Sequence, residues 1–289
     1  MEKNWTVGNV LSWTESYFKK NKISEARLEA EILLSAVVGC PRLDLRLKAL
    51  DTLPQEMLND FKELILRRRK RVPISYILGE QDFFGLKFLV NEHTLIPRPE
   101  TEILVEEALE ILKRGKGLIA ADVCTGSGCI AVAVAKNSGV SKIYATDISS
   151  DALKVAYENA ARHDVLSKIV LKNGDLLDAL RGENIEKKLD MIISNPPYVA
   201  ENEFDALEPE IKCEPKMALR GGKDGLDFYR SIVSCAAGYL KPGAHLLFEM
   251  NSNKSREIRE IIENNGFTVE NIVKDYSGLD RVIIGTAHG

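Results

Sequence analysis

The chain has 289 residues, and 39 lysines and arginines against 43 aspartates and glutamates leave a formal net charge of −4. A hydrophobic share of 45% with 28% charged residues is that of an ordinary globular protein long enough for two domains, and a mildly acidic total disfavours functions that wrap nucleic acid in a broad cationic surface. Five cysteines without a CxxC pair suggest neither a disulfide framework nor a zinc site, the polar start from Met1 to Thr6 with Glu2 is no secretory signal, and no apolar run approaches the roughly 20 residues that span a bilayer, so a cytoplasmic protein is expected.

The first third reads as helices. Val7, Val10, Leu11, Thr14, Tyr17 and Phe18 recur at helical spacing over residues 6–20. Ser24 is a plausible N-cap for the next helix, whose stripe is Leu28, Ile32, Leu33 and Val37, with Gly39 and Pro41 as stop signals. A third helix begins near Pro54 and carries Met57, Leu58, Phe61, Leu64 and Ile65 on one face. It ends in the basic run Arg67, Arg68, Arg69, Lys70 and Arg71 before Pro73. Such a run is either a solvated helix end favoured by the C-terminal dipole or a docking patch for an acidic surface.

Residues 82–90 (DFFGLKFLV) change texture and suit a hairpin linking two domains. Pro97 and Pro99 then hold the chain extended before an amphipathic helix over residues 102–113. From Leu118 strand and helix alternate. Strands are expected over residues 118–124, 142–147, 168–173, 189–195 and 245–250, and helices near 130–136, 151–163, 225–239 and 254–265. This α/β pattern argues for a parallel sheet covered on both faces. Strands over 268–273 and 281–286, joined only by a turn, must run antiparallel, so the sheet should end in an antiparallel hairpin.

Two motifs carry chemistry. The first is the glycine-rich turn around Asp122, Cys124, Thr125, Gly126, Ser127 and Gly128, between a strand and a helix. Its glycines permit close backbone approach to a ligand. Asp147 ends the next strand, where a carboxylate can take both ribose hydroxyls. The pattern Gly126-x-Gly128-x-x-Ala131 also satisfies the dinucleotide fingerprint, so by itself it implies only an adenosine-containing cofactor.

The second motif, Asn195, Pro196, Pro197 and Tyr198, follows the apolar strand over residues 190–194. Each proline restricts φ, lacks an N–H and keeps the preceding residue extended. The carbonyls of Asn195 and Pro196 are therefore rigidly presented with few local donors, and the Asn195 side chain adds an acceptor. That suits holding a planar NH2 group by its two hydrogens. Fixing a poor amide or amino nucleophile in line with an electrophilic methyl can contribute roughly 7–11 kcal/mol through positioning. A nicotinamide dehydrogenase would need a proton donor or acceptor here that the sequence does not supply. A non-catalytic module sensing the cofactor would have no need of an amide slot.

With these residues, the chain from about Pro73 to its end resembles the peptide chain release factor glutamine methyltransferases (the HemK-like family). The matching stretches run over residues 73–80, 84–86, 95–102 (LIPRPETE), 122–128, 195–198 and 221–229 (GGKDGLDFY). The tetrapeptide alone is shared with methyltransferases of DNA and RNA base amino groups, which form the alternative reading. The resemblance implies a class I, Rossmann-like methyltransferase domain with a mostly parallel seven-stranded sheet. It also implies a small N-terminal helical domain that helps hold the release factor.

Domains are expected at residues 1–80, 81–96 (hairpin linker) and 97–289. The implied methyl donor is S-adenosyl-L-methionine, and the implied substrate is the glutamine of the Gly-Gly-Gln loop. Residues 124–128 would line the methionine end, Asp147 the ribose, and Asp175 with Leu176 the adenine, with Asp122 also among the cofactor-binding residues. Asn195, Pro196, Pro197 and Tyr198 would receive the glutamine amide, with Asn195 also beside the cofactor, and Arg98 and Glu100 would line the cleft. A monomer acting without direct nucleic-acid or membrane contact is expected. One stretch departs from the family: after Glu249 a Glu-Ile-Gly-x-x-Gln pattern is replaced by Met250, Asn251, Ser252, Asn253 and Lys254. Cys124 and Cys129 read as packing residues, and Trp5 and Trp13 as packing or partner-binding residues. His93, His163, His245 and His288 are too scattered for a metal or catalytic role.

Overall fold

A computed structural model describes residues 5–113 and 115–288; Glu2 with the rest of residues 1–4, and residues 114 and 289, lie outside them. The chain divides into two units, residues 1–79 with 209–213 and residues 80–208 with 214–289.

The first unit is helical: α1 (Val7–Lys20), α2 (Ala26–Val38), a short turn of helix (Arg42–Arg46), α3 (Gln55–Arg69) and α4 (Ile74–Leu78). Thr6 Oγ1 accepts the Asn9 N–H at 3.3 Å and caps α1. Ser24 does not cap α2, which starts at Ala26 with no side-chain cap, and the inward stripe is Ala26, Ala30, Leu33 and Leu34. The smaller alanines let α2 approach its neighbours closely, so Leu28, Ile32 and Val37 are only half-buried.

The basic run is neither a solvated end nor a bare patch. Arg67 donates to the Tyr76 and Ile77 carbonyls at 2.9 and 3.2 Å. Arg68 is 3% exposed and paired with Glu29 and Glu210. Arg71 reaches Glu210 and the carbonyls of Asn21 and Lys22. Among the described residues, only Arg69 and Lys70 of this run face solvent without such partners.

In the second unit, β1 (Glu80–Phe83) and β2 (Leu86–Leu89) pair antiparallel. Phe84 and Gly85 both take positive φ, 52° and 71°, as the tightest hairpin turn requires. The next helix, α5 (Pro99–Leu112), begins earlier than its polarity suggested. Pro99 occupies its first turn, where a missing N–H costs nothing, and Arg98 before it stays extended.

There follow β3 (Ile119–Val123), α6 (Cys129–Asn137), β4 (Lys142–Asp147), α7 (Ser150–Arg162), β5 (Ile169–Asn173), β6 (Leu189–Ser194), α8 (Asp227–Tyr239), β7 (Leu240–Glu249), α9 (Ser255–Glu263), β8 (Phe267–Lys274) and β9 (Asp280–Ala287). The seven-stranded sheet has the order β5-β4-β3-β6-β7-β9-β8. The first five strands are parallel, and β9 runs antiparallel between β7 and β8, as the sequence predicts.

Alternation along each strand builds two cores. Ala120, Met191, Ile193 and Leu247 meet α5 and α6 on one face. Ala121, Ile192, Leu246 and Phe248 meet α8 and α9 on the other. Each large side chain so withdrawn from water contributes roughly 1.5–3 kcal/mol. Because the chain leaves β3 for β4 and β5 and then returns to β6 on β3's other side, the carboxyl ends of β3, β4 and β6 flank a switch point, the usual place for a ligand in such sheets. The altered stretch after Glu249 makes a short turn of helix (Ser252–Lys254) capped by Asn251. With φ at −70°, Asn251 has no need of glycine.

Candidate active site

The glycine turn leaves β3 with Cys124, Gly126 and Gly128 all at positive φ (63°, 56° and 78°). Asp122 holds this geometry from behind. Its Oδ2 accepts the Thr125 hydroxyl at 2.6 Å and the Ala131 N–H at 3.1 Å, so turn and helix start are tied to one carboxylate. Burial pushes Asp122 up to about 7 against these bonds. In front, Asp147 Oδ2 accepts the Gly126 N–H and Oδ1 the Ser149 N–H, both at 2.9 Å. One lone pair of each oxygen is thereby used, and each oxygen has another with which to accept. Burial raises the Asp147 carboxyl above its ordinary value despite both bonds. Burial also pushes Cys129 up to about 12 and Cys124 higher still, so neither is a thiolate nucleophile.

At the end of β6, Ser194 Oγ donates to the Val123 carbonyl at 2.6 Å and locks the two strand ends together. Asn195 Nδ2 donates to Thr101 Oγ1 at 3.1 Å. Pro196 and Pro197 are buried, and no donor among the described residues reaches the Pro196 carbonyl.

The corner is clamped by the second glycine-rich stretch. Val199 N–H donates to the Leu219 carbonyl at 2.9 Å and Gly221 N–H to the Val199 carbonyl at 2.8 Å. A Cβ on Gly221 would stand 2.7 Å from Tyr198 Cα, and one on Gly225, whose φ is +79°, 2.5 Å from the Tyr198 carbonyl oxygen. Gly225→Ala is therefore expected to cost about 2–4 kcal/mol, the sum of left-handed strain and overpacking, and to lower turnover by shifting Tyr198. Gly126→Ala meets nothing within 4 Å and should cost only about 1–2 kcal/mol. Paired thermal melts compare the two.

A cavity of 270 Å³ lies over the ends of β3, β4 and β6. Of the residues singled out from sequence, Cys124, Gly126, Asp147, Asp175, Leu176, Asn195 and Pro197 are on its wall. Asp122, Thr125, Ser127 and Gly128 are not. All four are buried beneath the turn and shape it, Ser127 through its carbonyl to Asn159 Nδ2 at 2.9 Å. Pro196 and Tyr198 are not among the lining residues either, although each adjoins one in the chain, and burial pushes the Tyr198 phenol up.

Arg98 and Glu100 do not line the cavity either. Arg98 is bonded to the buried Glu214, whose second oxygen accepts the Ile96 N–H at 3.0 Å, so it braces the proline segment. The wall also includes residues the sequence did not indicate: His93, Leu95, Ile148, Met217, Arg220 and Phe228. Ile148 directly follows Asp147 and Phe228 lies within the GLDFY stretch, which were the available signals. Thr146 also lines the cavity, its Oγ1 buried without a partner among the described residues.

Residues 9–79 match the family described as PrmC N-terminal domain, and residues 100–223 the one described as Methyltransferase small domain. A release factor glutamine methyltransferase of Geobacter sulfurreducens is 40% identical over 282 residues, which is 97% of this chain and 96% of that protein. One from Chlorobaculum tepidum is 38% identical over 287 residues, 97% of each chain. Among solved structures, a methyltransferase from Pyrococcus furiosus superposes with a TM-score of 0.51 over 79% of this chain and 98% of its own at 19% identity, a likeness of fold. The second unit has the class I methyltransferase fold.

Proposed function

The chain belongs to the release factor glutamine methyltransferase family, and from that premise we propose that it methylates the side-chain amide nitrogen of the glutamine in the Gly-Gly-Gln loop of peptide chain release factors, with S-adenosyl-L-methionine as methyl donor. The observation that carries this reading is the corner at Asn195 and Pro196. A side-chain oxygen and an unbonded carbonyl stand together at a strand end, beside the cavity that the glycine turn and Asp147 enclose.

The cavity suits the donor. Asp147 offers acceptors to a vicinal diol, and Ile148, Leu176 and Phe228 offer apolar surface to a flat base. Cys124 and Gly126 border the methionine end, with Asp175 beside the adenine. When bound, S-adenosyl-L-methionine supplies an electrophilic methyl on a sulfonium sulfur. The protein's part is to present the nucleophile. Asn195 Oδ1 and the Pro196 carbonyl each accept one hydrogen of the glutamine NH2. Electron density is drawn toward nitrogen, which is held still. Pro197 and Tyr198 keep the corner stiff.

The same reading makes the helical unit the docking element for the release factor and the enzyme a cytoplasmic monomer without direct nucleic-acid contact. No helix among the described residues is long and apolar enough to cross a membrane.

Incubation with labelled S-adenosyl-L-methionine and a purified release factor should label the loop glutamine alone. Label on a nucleic-acid base amino group instead would establish the rival substrate class. Asp147→Ala should weaken cofactor binding about 10- to 100-fold, the size of losing charge-assisted bonds, and titration calorimetry measures it. An unchanged affinity would remove Asp147 from the ribose site.

A further inference from the structure

Behind Asn195 lies a buried polar pair that the reaction as described leaves idle. Thr101, 2% exposed, is in the first turn of α5, and Glu249, 1% exposed, closes β7. A carboxylate so far from water is costly unless its oxygens are bonded. Thr101 Oγ1 donates to Glu249 Oε2 at 2.6 Å, the length of a charge-assisted hydroxyl–carboxylate bond. The same Thr101 oxygen accepts from Asn195 Nδ2 at 3.1 Å. Neither Thr101 nor Glu249 is on the cavity wall. The Tyr229 hydroxyl donates to the Glu249 carbonyl at 2.9 Å and pins the strand end.

The chemistry of these groups gives the chain a direction. An ionised carboxylate only accepts, so the single Thr101 hydroxyl hydrogen is committed to it. The Thr101 oxygen can then only accept, and it takes an Asn195 N–H rather than facing the Asn195 oxygen. The two ends of an asparagine amide have nearly the same shape, and only such a network distinguishes them. We propose that Thr101 and Glu249 are positioning residues for the transfer: the chain Asn195–Thr101–Glu249 turns the Asn195 oxygen outward, as acceptor for the substrate amide. This rests on the reading of Asn195 as the amide-binding residue.

A protonated Glu249 would reverse the direction. Its carboxyl hydrogen could be given to Thr101, whose own hydrogen would then seek the Asn195 oxygen and leave an NH2 group facing the substrate's NH2. The groups around Glu249 are the Arg281 guanidinium from β9, Arg98 and Glu100 at the start of α5, the Tyr198 and Tyr229 phenols and the Cys129 thiol. Burial pushes the carboxyl up to about 7, so the reversal falls at the lower edge of the working range.

The test compares Thr101→Val, Thr101→Ser and Asn195→Ala in the full chain with a purified release factor. It reads kcat, KM, cofactor affinity by calorimetry, and kcat against pH. Thr101→Val should lower kcat about 10- to 100-fold, with KM and cofactor affinity held within about twofold, and Thr101→Ser should recover most of the loss. Wild-type kcat should fall as pH drops below about 7, and Thr101→Val should lack that limb. Adding Thr101→Val to Asn195→Ala should cost nothing more. An unimpaired Thr101→Val, a serine variant as poor as the valine one, or additive losses would overturn the positioning role. Retained turnover in Asn195→Ala would instead remove the role of Asn195, which separates failure of this inference from failure of the one beneath it.

Discussion

Asn195→Ala is expected to lower kcat about 10²- to 10³-fold, the usual cost of deleting one preorganised hydrogen-bonding group that acts on the reacting centre. The direction follows from what the site offers a weak nucleophile. A carboxamide nitrogen shares its lone pair with its carbonyl, and only acceptors on both N–H bonds return density to it. The corner has two such acceptors, the Asn195 side-chain oxygen and the Pro196 carbonyl, and the alanine variant keeps the second. Residual activity well above the uncatalysed rate is therefore expected.

Cofactor affinity should change little, because Asp147, Gly126 and Ile148 form their part of the wall independently of the Asn195 amide. Single-turnover rates with isothermal titration of the cofactor separate these effects. A variant that loses binding and turnover in equal measure would show that Asn195 serves the cofactor and not the amide.

The parts of this molecule legible in its sequence are those whose cause is local. The hairpin was readable because Gly85 sits in a two-residue turn, and Phe84 beside it follows into positive φ. The sheet was readable because strand and helix alternate, and its antiparallel edge because seven or so residues cannot carry a crossover. The tetrapeptide at Asn195 was readable because two prolines dictate their own backbone.

What could not be read was settled by residues far away along the chain. Arg98 was a reasonable cleft residue until its partner turned out to be Glu214, 116 positions on. Arg68 looked like part of a solvated run, yet one of its carboxylates lies 142 positions away. Thr101 lies in the 95–102 stretch, yet its contact with Asn195 has no local signal, because a threonine in a helix's first turn ordinarily indicates nothing beyond the helix. Ile148 is 60% exposed at a cavity wall, and exposure of an apolar side chain is invisible before folding.

A large effect on stability is expected from Arg68→Ala in the helical unit. Its guanidinium bonds Glu29 through Nε at 2.6 Å and Nη2 at 3.1 Å, and Glu210 through Nη2 at 2.8 Å. Nη1 is buried without a partner among the described residues, so the arrangement already carries a desolvation cost. Truncation leaves two carboxylates facing each other across an apolar gap. Breaking a buried pair in this way costs about 3–5 kcal/mol. The lower end applies here, because Glu29 and Glu210 keep 13% and 21% of their side-chain surface in water, and Arg71 still holds Glu210. Both tryptophans, Trp5 and Trp13, lie in this unit, so urea titration followed by intrinsic fluorescence reports its unfolding.

The pH dependence has a definite sign. Burial alone would raise Glu210, but the Arg68 and Arg71 guanidiniums outweigh it and hold its carboxyl below the ordinary value. A carboxylate whose pKa is lower in the folded state contributes stability above its unfolded pKa of about 4.3, and that contribution is lost as pH falls through the folded value. The gap between wild type and Arg68→Ala should therefore be widest near neutrality and close in acid. A gap that stays constant down to about pH 3 would mean that packing of the arginine stem, and not its charge, holds residues 209–213 to the helices.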